Sequence, residues 1–370
     1  MACLRWLGFF SFVAALAVLS GCGDTETSGD KKASEPQATT TSAAKPLAAG
    51  RRGSVVVFSP HGQEMLDEYA AAFHRAYPGI EVTGRFVPTG QILSQLRIDR
   101  SSPRIDVWWG GTSAFFSQAA KEALLQPYRP SWAVALPEGF HDPNDLWYGQ
   151  FLTVPAIMFN KNIQTREQIP STWEALLEPQ WRDRIVIREP LDSGTMKTIL
   201  TGLIWRLGGP NHDPQPGYEF LKRLDGQTHA YLPNPQALYD RVAKSAEGYI
   251  SLWNLTDIIF QAKANGYPFD YRVPEGPFPF AVDPIAIVAG APHPGEARLF
   301  YEFATSKENC LKMARDHFRI LARNDIAPNE LPEWMNGLRL EPMPVKTEDF
   351  DRLQTEWMDH WRQAIRDSNK

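Results

Sequence analysis

Arg184-Ile-Val-Ile187, Arg188-Glu-Pro-Leu-Asp-Ser-Gly-Thr195 and Met196-Lys-Thr-Ile-Leu-Thr-Gly-Leu203 read, in that order, as strand, tight turn and helix. The first run is short, apolar and β-rich, as a buried strand should be. In the third, Met196, Ile199, Leu200, Leu203 and Ile204 recur at helical spacing. The turn between them carries small hydroxyl residues. Their oxygens cap the first free N–H groups of a helix, or leave those groups to a ligand. A helix N-terminus has free donors and a partial positive charge, so an anion suits it. The plainer alternative is an N-cap with no ligand.

The same strand–loop–helix unit recurs upstream. The folded body is expected to start at Ser54. Val55-Val-Val-Phe58 is a buried strand, 59–62 a loop, and 64–77 a helix ended by Pro78-Gly79. A strand over 80–87, a loop over 88–90 and a helix over 91–100 follow. Ile105-Asp-Val-Trp-Trp109 is a third strand, 110–113 a loop, and 114–121 the start of a third helix. Three such repeats imply a parallel sheet. In such sheets ligands bind beyond the carboxyl ends of the strands, where the three small, polar loops fall. Their glycines let backbone approach a ligand closely.

The chain has 370 residues, enough for two or more domains, with 43% apolar and 22% charged residues. A net charge of −5 gives no reason to expect nucleic acid. Residues 1–21 read as a signal peptide: Arg5 is the lone basic residue, and a short apolar run follows. Leu19-Ser-Gly-Cys22 resembles the lipobox of bacterial lipoproteins, which implies a lipidated Cys22 held in a bilayer. The alternatives are an ordinary secretory signal or a first membrane helix. Residues 22–53 are polar and aperiodic, a tether. Cys310 is then alone in the mature chain, so no internal disulfide is available, and it reads as a small core residue. Near the end, Phe350, Leu353, Trp357 and Trp361 fall on one helical face within 331–370, a helical segment packed on the body.

An ordered set of short motifs goes further. Val55-Val-Val-Phe-Ser-Pro-His-Gly62, Tyr77-Pro-Gly-Ile-Glu-Val82, Asp106-Val-Trp-Trp-Gly-Gly111 and Ala123-Leu-Leu-Gln-Pro-Tyr128 come first. Ile157-Met-Phe-Asn-Lys161, Pro170-Ser-Thr-Trp-Glu-Ala-Leu-Leu177, Asp192-Ser-Gly-Thr195 and Val282-Asp-Pro-Ile-Ala-Ile287 follow. Together they resemble the extracellular solute-binding proteins of bacterial ABC importers, in the branch that includes ferric-iron, phosphonate and phosphorylated-sugar binders. The resemblance implies an α/β, two-lobed type II periplasmic-binding-protein fold whose parallel-sheet lobes are joined by crossing strands. Lobe 1 would be 54–150 and 278–330, and lobe 2 would be 151–277. It also implies a monomer on the extracytoplasmic face, a small-molecule solute and a partner permease, with no cofactor and no catalysis.

Which solute is a separate question. The iron binders of the family hold the metal with neighbouring tyrosines, and here Ser251-Leu-Trp-Asn254 has no such pair. Hard Fe(III) wants anionic oxygen ligands. The iron binders also use a His near the end of the first strand, and His61 stands one position off. A phosphate-like oxyanion fits better. Ser59, Thr89, Thr112, Ser193 and Thr195 supply hydroxyls, and Gly90, Gly110, Gly111 and Gly194 supply N–H groups. His61 adds charge, with Arg188 a weaker addition. Trp109, Trp253 and Asn254 would border the rest of the solute, and Asp283 would hold an ammonium or hydroxyl. For each Trp the alternative is core packing, and for Asp283 a surface turn. Within the same class, a polyamine or thiamine-like cation would use Asp106, Asp192, Asp257 and Asp283 with aromatic faces, although Asp106 and Asp257 fit capping or packing better. An envelope hydrolase is the reading from another class. It lacks a Gly-x-Ser-x-Gly elbow, a Walker loop and a His-Glu-x-x-His motif, and the eight His are scattered.

Overall fold

The computed structural model describes residues 52–366 apart from 210–212, 344 and 346. The signal segment, Cys22 and the tether up to residue 51 lie outside the described residues, and Gly53 already belongs to the first strand. No helix among the described residues is long and apolar enough to cross a membrane.

β1 (Gly53–Ser59), α1 (Gln63–Ala76), β2 (Ile80–Phe86), α2 (Thr89–Ile98), β3 (Val107–Trp109) and α3 (Ser113–Lys121) form the three predicted repeats. β1 pairs in parallel with both β2 and β3. Val55 and Val57 of β1 are fully buried and share a core with Met65, Tyr69 and Phe73 of α1. α2 begins two residues before the sequence suggests, because Pro88 takes the N-cap position with extended backbone (φ −57, ψ 140). Thr89 and Gly90 are therefore helical, not loop.

The sheet then continues in a way the repeats do not reveal. β4 (Leu125–Gln126), β5 (Tyr148–Thr153), β11 (Ala281–Val288) and β12 (Ile320–Leu321) join it, in the order β12-β5-β11-β3-β1-β2 with β4 also on β11. β11 runs antiparallel to β3 and to β5, so the sheet is mixed. β5 carries the chain out of this sheet and β11 brings it back, and the two run side by side. Val154, fully buried, marks the exit.

Between them lie β6 (Pro155–Asn160), β7 (Ile185–Arg188), α4 (Gly194–Leu207), α5 (Gln215–Gln227), β8 (Thr228–Leu232), α6 (Pro235–Lys244), β9 (Ser251–Asn254), α7 (Leu255–Ala264) and β10 (Phe269–Arg272). β6 pairs antiparallel with β9 and β10, whereas β7 and β8 are parallel. The five apolar residues that mark α4 in the sequence are all buried, and so are Thr201, Gly202 and Trp205. The helix is enclosed by α5, β9 and α10 (Thr347–His360). A Cβ at Gly202 would lie 2.6 Å from the Phe278 ring, so glycine lets the returning chain pass close to α4.

α8 (Pro294–Ala304) and α9 (Lys307–Asp316) cover the large sheet, and Cys310 of α9 is buried as expected. At the N-terminal end of β1, the fully buried Asp106 accepts the N–H of Val56 (2.8 Å) and of His293 (2.7 Å). The His293 ring lies 3.0 Å from Asp106 through Nδ1 and 3.0 Å from Ser54 Oγ through Nε2. This polar chain ties β1, the entry to β3 and the start of α8. It lies at the end of the strands away from the loops after β1 and β3.

Candidate functional site

Three helices start beside one cavity of about 330 Å³. Thr89 opens α2, Thr112 and Ser113 open α3, and Gly194 and Lys197 lie in the first turn of α4 with Thr198 just after it. No side chain caps the first turn of α2 or α3. In α4, Ser193 Oγ accepts the Met196 N–H at 3.2 Å, so its hydroxyl acts as the N-cap. The first N–H groups of a helix have no carbonyl one turn back, and Gly194 and Thr195 occupy those positions. A Cβ at Gly194 would meet no atom within 4 Å, so space stands open over this helix start. Phe115, Phe140 and Phe280 give the cavity apolar walls, and the exposed Glu138 adds a carboxylate to its lining.

Gly110 and Gly111 join this cavity to a second group of residues. Both have positive φ (+91 and +107), where a side chain is strained. A Cβ at Gly111 would lie 2.6 Å from Thr89 Cγ2, and one at Gly110 would overlap the His61 ring. His61 packs edge-on against Trp109 and Phe151, and its Nε2 is buried without a partner. Burial holds its pKa well below the ordinary value, with Arg319 and His317 adding to the effect, so the imidazole is neutral at pH 7. His61 therefore does not bring the positive charge expected of it.

Asp283 is not a surface turn residue. It lies buried in β11, 3.5 Å from Thr153 Oγ1. Burial raises its pKa to about 6, opposed by Arg319 and Thr153 and reinforced by Asp257. Burial also raises Asp257, which Arg319 again opposes. Two carboxyls and one guanidinium thus feel one another. Between 3.8 and about 6, folded Asp283 keeps a proton that the unfolded chain has released, so its contribution to stability falls as pH rises through that window. We expect Asp283→Asn to be more stable than the wild type by roughly 2–3 kcal/mol above pH 7, with the gain gone near pH 4. Melting temperatures from pH 4 to 8 check this. A difference independent of pH would contradict it.

Several sequence expectations need correction. Trp109 is fully buried and donates to Gln150 Oε1 at 2.6 Å. Its ring packs edge-on against Tyr69 and Phe300, so it is part of the core and borders no solute. Trp253 is 3% exposed, with its Nε1 donating to Tyr239 Oη at 3.3 Å. Asn254 caps α7 by accepting the Asp257 N–H and holds the Asp257 carboxylate at 2.7 Å. Asp257 is thus held by the cap instead of making it. Arg188 spends its guanidinium on the carbonyls of Glu189, Leu232 and Asp192. Ser59 is fully buried and accepts the His61 N–H at 3.1 Å, shaping the loop after β1. Gly90 is exposed, one residue past Thr89. The sequence reading missed Lys197, Arg319, Phe350 and Gln354. Only Lys197 had a local signal, three residues past Gly194 in the same first turn.

A family model for bacterial extracellular solute-binding proteins matches residues 59–309. The chain is similar to a probable ABC transporter periplasmic-binding protein of Sinorhizobium fredii, 23% identical over 318 residues, 84% of this chain and 85% of the relative. It is also similar to an uncharacterized protein of Haemophilus influenzae, 24% identical over 269 residues, 70% of this chain and 75% of the relative. Among solved structures, the periplasmic binding protein AfuA of Actinobacillus pleuropneumoniae, with exogenous fructose-6-phosphate bound, aligns with TM-score 0.66 at 21% identity, covering 85% of this chain and 99% of that one. The IdiA (FutA) protein of Trichodesmium, in complex with iron and citrate ligands, aligns with TM-score 0.69 at 16% identity, covering 84% and 99%. At these identities the structural likenesses speak for the fold, and the family match carries the rest. The chain belongs to the bacterial extracellular solute-binding proteins, binding proteins and not enzymes, and has their two-lobed α/β periplasmic-binding-protein fold.

Proposed function

We propose that this extracytoplasmic binding protein captures a small solute bearing a phosphate-like oxyanion and delivers it to an ABC importer. One observation carries the choice of solute: the first turns of α2, α3 and α4 share a cavity with the Lys197 side chain. Each helix start contributes free N–H donors and partial positive charge. Thr89 and Thr112 add hydroxyls, and Lys197 adds a full charge. The Phe115, Phe140 and Phe280 walls suit an organic body behind the oxyanion.

Taking 54–150 and 278–330 as one lobe and 151–277 as the other, Thr89 and Thr112 belong to the first. Gly194, Lys197 and Thr198 belong to the second. A solute that touches both favours the closed arrangement by its differential contacts. Relatives of known structure include both a phosphosugar complex and an iron complex. Arg319 argues for the former here. Its guanidinium bears on Asp257, Asp283 and His61, so a cation placed beside these groups would meet a positive charge.

A thermal-shift panel tests the reading, since a ligand that binds only the folded chain stabilises it by about 2.7 kcal/mol at a hundred times its dissociation constant. The panel holds inorganic phosphate, phosphate esters, phosphonates, ferric citrate, polyamines and neutral sugars. Oxyanion-bearing compounds should raise the melting temperature. Stabilisation by ferric citrate, a polyamine or a neutral sugar alone would overturn the proposal.

A further inference from the structure

The family match ends at residue 309, yet the cavity does not. Phe350 and Gln354 of α10 line it beside Thr89, Thr112 and Gly194. Gln354 Nε2 lies 3.5 Å from Thr198 Oγ1, just past the first turn of α4.

The C-terminal segment is fixed by aromatic contacts to the elements between β6 and β10. Trp205 of α4 lies 5.7 Å from Phe350 and 6.1 Å from Trp357, ring to ring. His360 stacks on Tyr218 of α5 at 3.9 Å. The helical turn Trp361–Arg366 continues this anchorage. Trp361 packs on Tyr231, and the Arg366 guanidinium lies 4.0 Å above that ring. α10 also touches α3, which packs against β11 of the large sheet. So α10 packs on both α4 and α3, and two of its side chains reach the cavity beside the starts of those helices.

We infer that α10 is a specificity wall of the solute site, with Phe350 and Gln354 selecting the organic body that carries the oxyanion. The inference rests on the oxyanion reading above. The chemical reasoning is a division of labour. N–H groups, hydroxyls and Lys197 recognise an oxyanion whatever it is attached to. A ring such as Phe350 contributes only if there is apolar or ring surface to cover, and Gln354 offers a donor and an acceptor to substituents on it. A segment outside the matched family region then decides which member of a phosphorylated class is taken.

Calorimetric titration with inorganic phosphate, glucose 6-phosphate and phenyl phosphate tests this. Phe350→Ala should weaken whichever ester binds the wild type more tightly by at least tenfold, and change inorganic phosphate less than threefold. Phe350 also packs on Trp205, so its loss could harm folding. Gln354→Ala, at a half-buried position, provides the second variant, with the same asymmetry and a three- to tenfold loss. Equal weakening of ester and phosphate, no change in either, or a wild type that takes inorganic phosphate alone would overturn the inference and leave the oxyanion site standing. A wild type that binds none of the three compounds would instead overturn the oxyanion reading, and this inference with it.

Discussion

Lys197→Glu should weaken binding of the tightest phosphate ester by on the order of 100- to 1,000-fold while the fold becomes no less stable. A lost charge-assisted hydrogen bond accounts for about 1.5–3 kcal/mol, and a like charge facing the oxyanion adds to that. Stability should not follow affinity. Lys197 lies in the first turn of α4, half-buried and beside the cavity. There a negative side chain interacts favourably with the positive end of the helix, by about 0.3–1 kcal/mol. Binding and stability should therefore move in opposite directions, which a general loss of structure cannot mimic. Titration calorimetry and a urea melt on the same preparation measure both. Unchanged affinity would remove Lys197 from the site.

Asp106→Ala should produce the largest loss of stability among single substitutions discussed here, about 3–5 kcal/mol. The carboxylate is wholly buried and accepts the Val56 and His293 N–H groups, with the His293 ring beside it. Alanine leaves two part-buried donors without their acceptor, and a loss of this kind is worth roughly 1–3 kcal/mol when the donor is buried. Asp106→Asn keeps the shape and one acceptor oxygen, so it should lose roughly half as much. The polar chain lies at the far end of the strands from the cavity. Ligand affinity of the folded variant should stay within about threefold, a change no larger than ~0.7 kcal/mol. A urea-melt difference below about 1 kcal/mol would show that Asp106 does not organise these elements.

Local chemistry explains which features could be read from the sequence. In α4, the apolar period and Ser193-Gly-Thr195 sit within one turn of each other, so strand, cap and helix are all legible there. Counting β-α repeats puts Thr89 and Thr112 between strand and helix; Thr89 proves to be the first residue of α2 and Thr112 the N-cap of α3, and both line one cavity with Gly194. Pairing across the chain is different. β11 lies between β3 and β5 through contacts more than a hundred residues apart, and nothing within Ala281–Val288 states its direction. Arg319 stands just before the two-residue strand β12, and only the pairing of β12 with β5 brings it near Asp283. The tryptophans misled for a related reason. An aromatic residue at a strand end resembles a binding platform until its ring proves to be buried, as Trp109 is against Tyr69, Phe300 and Gln150. Phe350 could be placed on an apolar helical face, yet that face meets both the core and the cavity.

The most direct test compares a phosphate ester with its own alcohol. Calorimetric titration of the wild type with glucose 6-phosphate against glucose, and phenyl phosphate against phenol, isolates the oxyanion as the only difference. Helix starts, hydroxyls and Lys197 acting together predict that the better ester binds at least 100-fold more tightly than its alcohol, a difference of about 2.7 kcal/mol or more. An alcohol that binds as tightly as its ester would contradict an oxyanion site between α2, α3 and α4.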